Sequence, residues 1–442
     1  MVSSKNPMKK KIFKKYNEME RRFRPSGVDY ATYDTPVNFK ESLECPLHRW
    51  YAYKEGFSPS FVRSFIQRYS TKEKEIVFDP FGGVGTTALV AEELGHCAYA
   101  MDVSPLGVFI ASAKTHKYSR SDVNALKKVI GLLKPMKNYK KDVVIPNQTV
   151  RRYFDESTWD ALLRFLSFSN TISDKSVKNL FLLAIVSLVA DLSTHKKNGN
   201  GVKKKKIAPP PQSFLSLKKL VISRLELFCE DILATNLRGE STIWKSSNLI
   251  DYELPQKASL VLTSPPYANC FDYSKVYLTE LWVGGFFKTE KDQKEFRENS
   301  VSSHVHYSWS ERNSAFGSDI VNELIVPYLK NESLWSEKIP QMLVGYFSDM
   351  GRFLYNLKKN LEDKAVVGIV VGNSVYGGLP VATDIIIADM AEKLGYKCVD
   401  VKVYRKVVAS SQQMVLLSDS EKKFVRESMV VLQYNEGCDD CV

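Results

Sequence analysis

The sequence predicts an open α/β fold around a mostly parallel sheet, and three observations carry that prediction. Short apolar runs following Glu75, Cys97, Thr242, Ser259, Ala365, Cys398 and Ser428 read as seven strands. Most are separated by segments with helical apolar spacing, the alternation that builds βαβ units. Two of the strands stop in chemically distinctive turns: a glycine-rich stretch at 82–85, and Ser264-Pro265-Pro266-Tyr267. In an open α/β sheet, ligands bind outside the carboxyl ends of the strands. Both turns are therefore candidate parts of one site.

Residues 1–45 are polar and carry Lys9, Lys10, Lys11, Lys14, Lys15, Arg21, Arg22 and Arg24, the pattern of a basic arm, helical in part. Such an arm either tracks phosphates or is simply solvated. Ser58-Pro59 reads as the N-cap and first residue of a helix carrying Phe61, Phe65 and Ile66. The next strand runs into Asp79-Pro-Phe-Gly-Gly-Val-Gly-Thr-Thr87, followed by a helix that ends at Gly95. Glycines let backbone approach a ligand closely, and Gly95 suits a helix C-cap. The following strand ends in Asp102, about 20 residues past the turn, where a Rossmann-like site places the carboxylate that binds ribose hydroxyls. A dinucleotide fold or a phosphate loop would also use a glycine turn. However, the spacing is not GxGxxG, and no Gly-Lys-Ser/Thr follows. Asp79 would repel a pyrophosphate and suits a cationic cofactor. Ser104-Pro105 then opens a helix to about residue 117.

Residues 119–240 interrupt this rhythm with four stretches of helical spacing, 124–133, 159–168, 177–192 and 214–233. Between the last two lies a glycine- and lysine-rich loop, 195–211, ending in three prolines. It reads as a solvated linker or a phosphate-contacting loop, and the net charge favours the latter. The sheet resumes at 242–245 and 259–263. Two prolines cannot donate to a ladder, so the second strand ends at Ser264 and presents Ser264 and Tyr267 on a stiff turn. Residues 269–282 are aromatic-rich and helical towards their end, and 283–340 are polar and irregular. His304 and His306 are a lone pair there, so no metal is expected. A helix at 342–361, a strand at 365–372, a turn at 373–378 and a helix at 383–394 follow. Strands 398–405 and 428–433 suit an antiparallel hairpin at the sheet edge.

The 442 residues exceed one compact core, and the hydrophobic (44%) and aromatic (12%) content is that of a globular protein. Lys and Arg number 62 against 50 acids, a net +12 that favours a polyanionic partner such as nucleic acid. Seven cysteines without a framework fit reduced thiols, and Cys438-Asp-Asp-Cys441 reads as a solvated tail. The basic N-terminus lacks an apolar signal core, and the longest apolar run, 180–190, is too short to span a bilayer. The expected location is cytoplasmic, with no membrane partner.

These two turns together resemble the S-adenosylmethionine-dependent DNA amino-methyltransferases of restriction–modification systems and phages. The stretch from Asp79 to Thr87 resembles their cofactor motif, DPFxGxGTT, and Thr263-Ser-Pro-Pro-Tyr267 their catalytic motif. The Ser-Pro-Pro-Tyr form is typical of enzymes acting on cytosine N4, whereas adenine N6 enzymes more often carry Asp or Asn in place of the serine. Phe57-Ser58-Pro59 resembles the segment that packs near the methionine end of the cofactor. The motif order excludes the subgroup with the reverse arrangement.

The resemblance implies a Rossmann-like seven-stranded methyltransferase sheet, mostly parallel with an antiparallel edge strand, plus a helical insertion. It implies S-adenosylmethionine as cofactor, duplex DNA as substrate and a cognate restriction endonuclease as possible partner. Ser264, Pro265, Pro266 and Tyr267 are the expected catalytic residues. The expected cofactor residues are Phe57, Ser58, Asp79, Pro80, Phe81, Gly82, Gly83, Gly85, Thr86, Thr87, Asp102, Val103, Asn248 and Thr263. An acid often follows the family's third strand. Here the stretch is Ser246-Ser-Asn-Leu-Ile-Asp251, so either Asn248 or Asp251 takes that place. The implied division is an arm (1–45), cofactor half (46–118), helical insertion (119–240), catalytic part (241–282), polar and aromatic insertion (283–340), C-terminal sheet (341–435) and tail (436–442). Either insertion is a candidate DNA reader. Adenine N6 chemistry, an RNA substrate and a non-catalytic nucleic-acid-binding protein on the same scaffold are the alternatives.

Overall fold

The computed structural model describes residues 6–29, 37–199, 201–307, 316–407 and 411–437. Cys438, Cys441 and part of the basic arm lie outside them. The seven expected strands all form: β1 (Ile76–Asp79), β2 (Cys97–Asp102), β3 (Glu240–Lys245), β4 (Ala258–Thr263), β5 (Leu361–Gly372), β6 (Tyr396–Lys406) and β7 (Arg426–Tyr434). They make one sheet in the order β6-β7-β5-β4-β1-β2-β3. The run from β3 to β5 is parallel, while β7 enters antiparallel between β5 and β6. The last two strands are the expected antiparallel hairpin, with β7 on its inner side.

The chain leaves β1 towards β2 and β3, then returns to the other side of β1 with β4. The sheet order thus reverses between β1 and β4, and at such a point the loops on either side diverge and open a crevice. The register pairs Val77 with Leu260 and Phe78 with Val261, so the two motifs leave the sheet side by side. All six residues of β4 are buried, as a central strand covered on both faces requires.

Helices cover both faces. The long ones are α1 (Pro7–Phe23), α2 (Pro59–Tyr69), α3 (Thr86–Leu94), α4 (Pro105–Thr115), α5 (Arg120–Leu133), α6 (Glu156–Ser169), α7 (Lys175–Leu192), α8 (Phe214–Ala234), α9 (Ile339–Lys358) and α10 (Thr383–Lys393). Helices α2 and α3 pack on the Val77 and Leu262 face, and α9, α10 and α1 on the Phe78 and Val261 face. Helices α5–α8 form a third cluster that joins the sheet domain through Leu106 and Ile110 of α4. Ser58 and Ser104 cap α2 and α4 through the N–H of Phe61 and Gly107, and Gly95 ends α3 in the left-handed region (φ 91°). Among the described residues, no helix is long and apolar enough to cross a membrane.

Four segments differ from the sequence reading. The middle of the basic arm is α1, docked by Ile12, Tyr16, Met19 and Phe23, and Tyr16 donates to the Pro380 carbonyl at 3.1 Å. The lysine-rich loop contains an antiparallel hairpin, His195–Asn198 with Gly201–Lys204. The turn at 373–378 is part of a second hairpin, Ser374–Tyr376 with Leu379–Val381. Finally, 283–340 is not wholly irregular: helix Glu290–Glu298, a π turn and helix Val326–Lys330 lie within it. In each case pairing or packing with distant residues supplies the order that local composition lacks.

Candidate active site

A cavity with about 960 Å³ of open space, its mouth included, lies at the reversal point. From β1 and its turn it takes Asp79, Phe81, Gly82, Gly83 and Thr86; from β2, Asp102 and Val103; from the loop after β3, Asn248; from the loop after β4, Ser264 and Pro266. Phe57 lines it from before α2.

The turn is held by side chains that the sequence put in the same set but that do not line the cavity. Thr263 and Thr87 each donate a hydroxyl to Asp79 at 2.7 Å, and the Phe81 N–H reaches Asp79 at 3.1 Å. Burial outweighs these bonds and lifts the Asp79 carboxyl to about 6. Asp102 accepts the Gly83 N–H at 2.8 Å and the Ser104 N–H at 2.7 Å, clasping the glycine turn from below. Burial likewise raises its pKa. Gly85 sits at the start of α3 with φ 80°, where a Cβ would lie 2.7 Å from that of Ala111. Ser58 caps α2, and Pro80 contributes its carbonyl to the Asn248 amide.

Asn248 resolves the open choice after β3. It lines the cavity with its Oδ1 buried and without a hydrogen-bond partner, whereas Asp251 is exposed and paired with Lys359. An unsatisfied buried acceptor is costly, and an adenine amine is a donor of the right kind. The Gly82–Gly83 backbone and the Asp102 carboxylate line the same cavity beside it.

A second hollow adjoins the first, lined by Ser264, Tyr267, Asn269, Phe271, Tyr273, Arg405 and Glu427. Ser264 and Tyr273 belong to both. The Tyr267 hydroxyl donates to Glu427 Oε1 at 2.7 Å, and Arg405 Nε pairs with the other oxygen of Glu427 at 2.8 Å. Burial and the Glu427 carboxylate hold the Tyr267 phenol well above its usual range, so it stays neutral. A Cβ on Gly372 would approach the Tyr267 ring to 2.8 Å, so the ring lies against bare backbone of β5. Pro265 is the one residue of the four-residue motif that touches neither hollow.

Sequence reasoning missed several contributors. Tyr53 and Glu55, upstream of the Phe57 segment, line the cavity, as do residues 299–301 and Ser303. The second insertion thus walls the cofactor cavity. Glu427 and Gly372 come from β7 and β5, more than 100 residues beyond the motif, with no local signal. Gly107 was legible only as part of a helix, yet a Cβ there would lie 2.6 Å from the Gly83 carbonyl.

The two histidines that sequence spacing set aside acquire a third partner. Asp272, His304 and His306 each bring one ligand atom within 4.8 Å of the others. Asp272 is 32 positions from His304, beyond the reach of a spacing rule. Its Oδ1 accepts the Ser274 hydroxyl at 2.6 Å and N–H at 3.0 Å, and Arg297 Nη2 stands 3.1 Å from Oδ2. Oδ1 is thus engaged, while Oδ2 is buried without a hydrogen-bond partner and faces the Arg297 charge, which would oppose a metal cation. Burial pushes the His304 pKa down to about 4, so its ring is neutral.

Comparison with known proteins agrees with this geometry. A family model described as DNA methylase matches residues 3–131. Type II methyltransferase M.BsoBI of Geobacillus stearothermophilus is 26% identical over 435 residues, covering 86% of this chain and 84% of its own. Type II methyltransferase M.AvaI of Nostoc sp. is 24% identical over 441 residues, covering 90% of this chain and 89% of its own. Type II methyltransferase M.MjaII of Methanocaldococcus jannaschii is 31% identical over 139 residues, 31% of this chain and 25% of its own. The chain is thus similar over most of its length to Type II methyltransferases and over residues 3–131 to the DNA methylase model, and it places both motifs at the ends of adjacent parallel strands with one cavity between them.

Proposed function

We propose that this chain is an S-adenosylmethionine-dependent DNA methyltransferase acting on the exocyclic N4 amine of a cytosine turned out of duplex DNA. The observation that carries the reading is the position of Ser264, which lines both the cofactor cavity and the adjoining hollow. A base in the hollow would meet the methyl donor across that residue. A base stacked in a duplex cannot reach a recessed site, so it must be flipped out. Tyr267, braced by Gly372 and Glu427, offers the ring on which it would stack.

When bound, S-adenosylmethionine supplies an electrophilic methyl group on a sulfonium centre. In the proposed roles, Asn248 Oδ1 accepts from its adenine amine, Asp102 holds the ribose hydroxyls and Asp79 faces the amino-acid ammonium. The cytosine amine is a poor nucleophile because its lone pair is delocalised into the ring. The Ser264 hydroxyl oxygen would accept one of its N–H groups and localise that pair; the Pro265 carbonyl, which the motif supplies as the second acceptor, touches neither hollow and would have to turn towards the base on binding. Their attraction grows as positive charge develops on nitrogen, so they favour the transition state over the ground state. After transfer, the excess proton would leave the amine to solvent by way of the Ser264 hydroxyl.

The test is methyl transfer from labelled S-adenosylmethionine to mixed-sequence duplex DNA, with product nucleosides resolved by mass spectrometry. N4-methylcytosine is expected. N6-methyladenine would overturn the choice of base and leave the fold and the acceptor chemistry standing. Absence of transfer to any DNA, with cofactor bound, would overturn the reading itself.

A further inference from the structure

The hairpin formed by His195–Asn198 and Gly201–Lys204 belongs to neither hollow, and most of the charge it carries is unpaired among the described residues. From Ser193 to Gln212 there are six lysines and no acid. Two of the six are used internally. Lys197 Nζ lies 3.4 Å from the centre of the Tyr277 ring and 2.8 Å from the buried Glu280 carboxylate. Lys205 Nζ donates to the Ala190 and Asp191 carbonyls at the end of α7, at 3.0 and 3.1 Å. The other four, Lys196, Lys203, Lys204 and Lys206, are exposed, and among the described residues none forms an ion pair.

Their arrangement works against the hairpin itself. Lys196 and Lys203 are directly opposed in the ladder, and like charges at such positions destabilise a strand pair. Two features fix the hairpin despite this. The His195 ring stacks on Tyr153 at 4.2 Å, and the Lys197 contacts tie it to the segment after the catalytic motif. Tyr277 stacks on Tyr53 and lies parallel to Tyr273, and both of those rings line the cofactor cavity. The free lysines are thus mounted on an element anchored to the aromatic residues beside the cavity.

We propose that this hairpin grips the phosphate backbone of duplex DNA next to the flipped base, with Lys196, Lys203, Lys204 and Lys206 neutralising phosphates and Lys197 anchoring the grip to the active site. This rests on the DNA-methylation reading above. Phosphates passing across the hairpin would relieve the opposed lysines, so the repulsion present in the free protein is released on binding.

The experiment uses the full chain and a triple variant, Lys196→Ala, Lys203→Ala and Lys204→Ala, beside the corresponding triple Lys→Arg variant. Duplex DNA affinity is measured against salt concentration, and S-adenosylmethionine affinity by calorimetry. Each phosphate contact contributes about 0.9 to the slope of log affinity against log salt. The alanine variant should lose a slope of roughly 2–3 and bind DNA at least about tenfold more weakly at low salt, with cofactor affinity unchanged. The arginine variant should retain the wild-type slope. If the wild-type chain methylates duplex DNA and the alanine variant keeps its slope, the hairpin proposal fails and the methylation reading stands. An arginine variant that loses the slope also overturns it, because charge would then not be the cause. If the wild-type chain neither binds nor methylates duplex DNA, both readings fall. Unchanged duplex binding with weakened single-stranded RNA binding would assign the hairpin to a different nucleic acid and overturn the proposal as stated.

Discussion

At the scale of single residues, the catalytic turn and Asp79 make separable predictions. Ser264→Ala removes one of two amine acceptors and should lower methyl transfer by roughly 10²–10³-fold, the usual effect of deleting one preorganised partner of a developing charge. Cofactor affinity measured by calorimetry should hold, and wild-type turnover in this variant would remove Ser264 from the mechanism. Asp79 is 3% exposed. Its carboxyl is raised from 3.8 to about 6, chiefly by burial. The folded chain therefore holds a proton that the unfolded chain has released, and stability falls as pH rises through that window, by about 3 kcal/mol. An ammonium beside Asp79 would favour its charged form. Cofactor binding should release a proton near pH 6 and weaken as pH falls below it, and Asp79→Asn should abolish the release. Calorimetry in buffers of different ionisation enthalpy reads this directly; an affinity independent of pH between 5 and 7 would separate Asp79 from the ammonium.

At the scale of elements, close approach between helices decides how the cofactor turn is held. The end of β1, the glycine turn and α3 were legible because each is specified locally, by an apolar run, by glycines and by the Gly95 cap. The surface they pack against was not. Gly107 lies in the first turn of α4, and a side chain there would press on the Gly83 carbonyl at 2.6 Å. Gly107→Ala should therefore weaken cofactor binding while stability falls by only about 1–3 kcal/mol, a typical overpacking cost. Titration with S-adenosylmethionine alongside denaturant unfolding distinguishes this from general damage. The hairpin at 195–204 is the converse case. Its composition reads as a loop, and it is ordered because His195, Lys197 and Lys205 find partners on Tyr153, Tyr277 and the end of α7.

At the scale of the whole molecule, the basic N-terminal segment is tied to the far end of the sheet. Arg426 on β7 donates to Asp384 of α10 at 2.7 Å and to both oxygens of Glu20 on α1 at 2.8 and 2.7 Å. Burial opposes ionisation of Glu20 and Asp384, yet Arg426 holds both carboxyls below their usual range. Folded-state pKa values below the unfolded ones give stability that is present above about pH 4 and is lost as pH falls through the folded values. Arg426→Ala leaves the buried Asp384 carboxylate without its counter-charge and the half-buried Glu20 with Arg24 alone, and should cost about 3–5 kcal/mol. Hydrogen exchange should then show α1 opening before the sheet, and equal protection of α1 in the variant would mean that the apolar stripe of Ile12, Tyr16, Met19 and Phe23 docks the helix unaided.

The sequence by itself determined the seven strands, the two motifs and the caps of α2 and α4. Each of these is written in neighbouring residues: strand period, proline and glycine geometry, and hydroxyl caps. The tertiary structure alone decided that β1 and β4 stand side by side, so that two stretches about 180 residues apart share one cavity. It also decided that Asn248 and not Asp251 faces that cavity, that Glu427 and Gly372 brace Tyr267, and that Asp272 meets His304 and His306. These contacts join positions with no fixed sequence separation. They arise from the crossover that reverses the sheet and from the close packing that follows it, neither of which leaves a local periodicity to read.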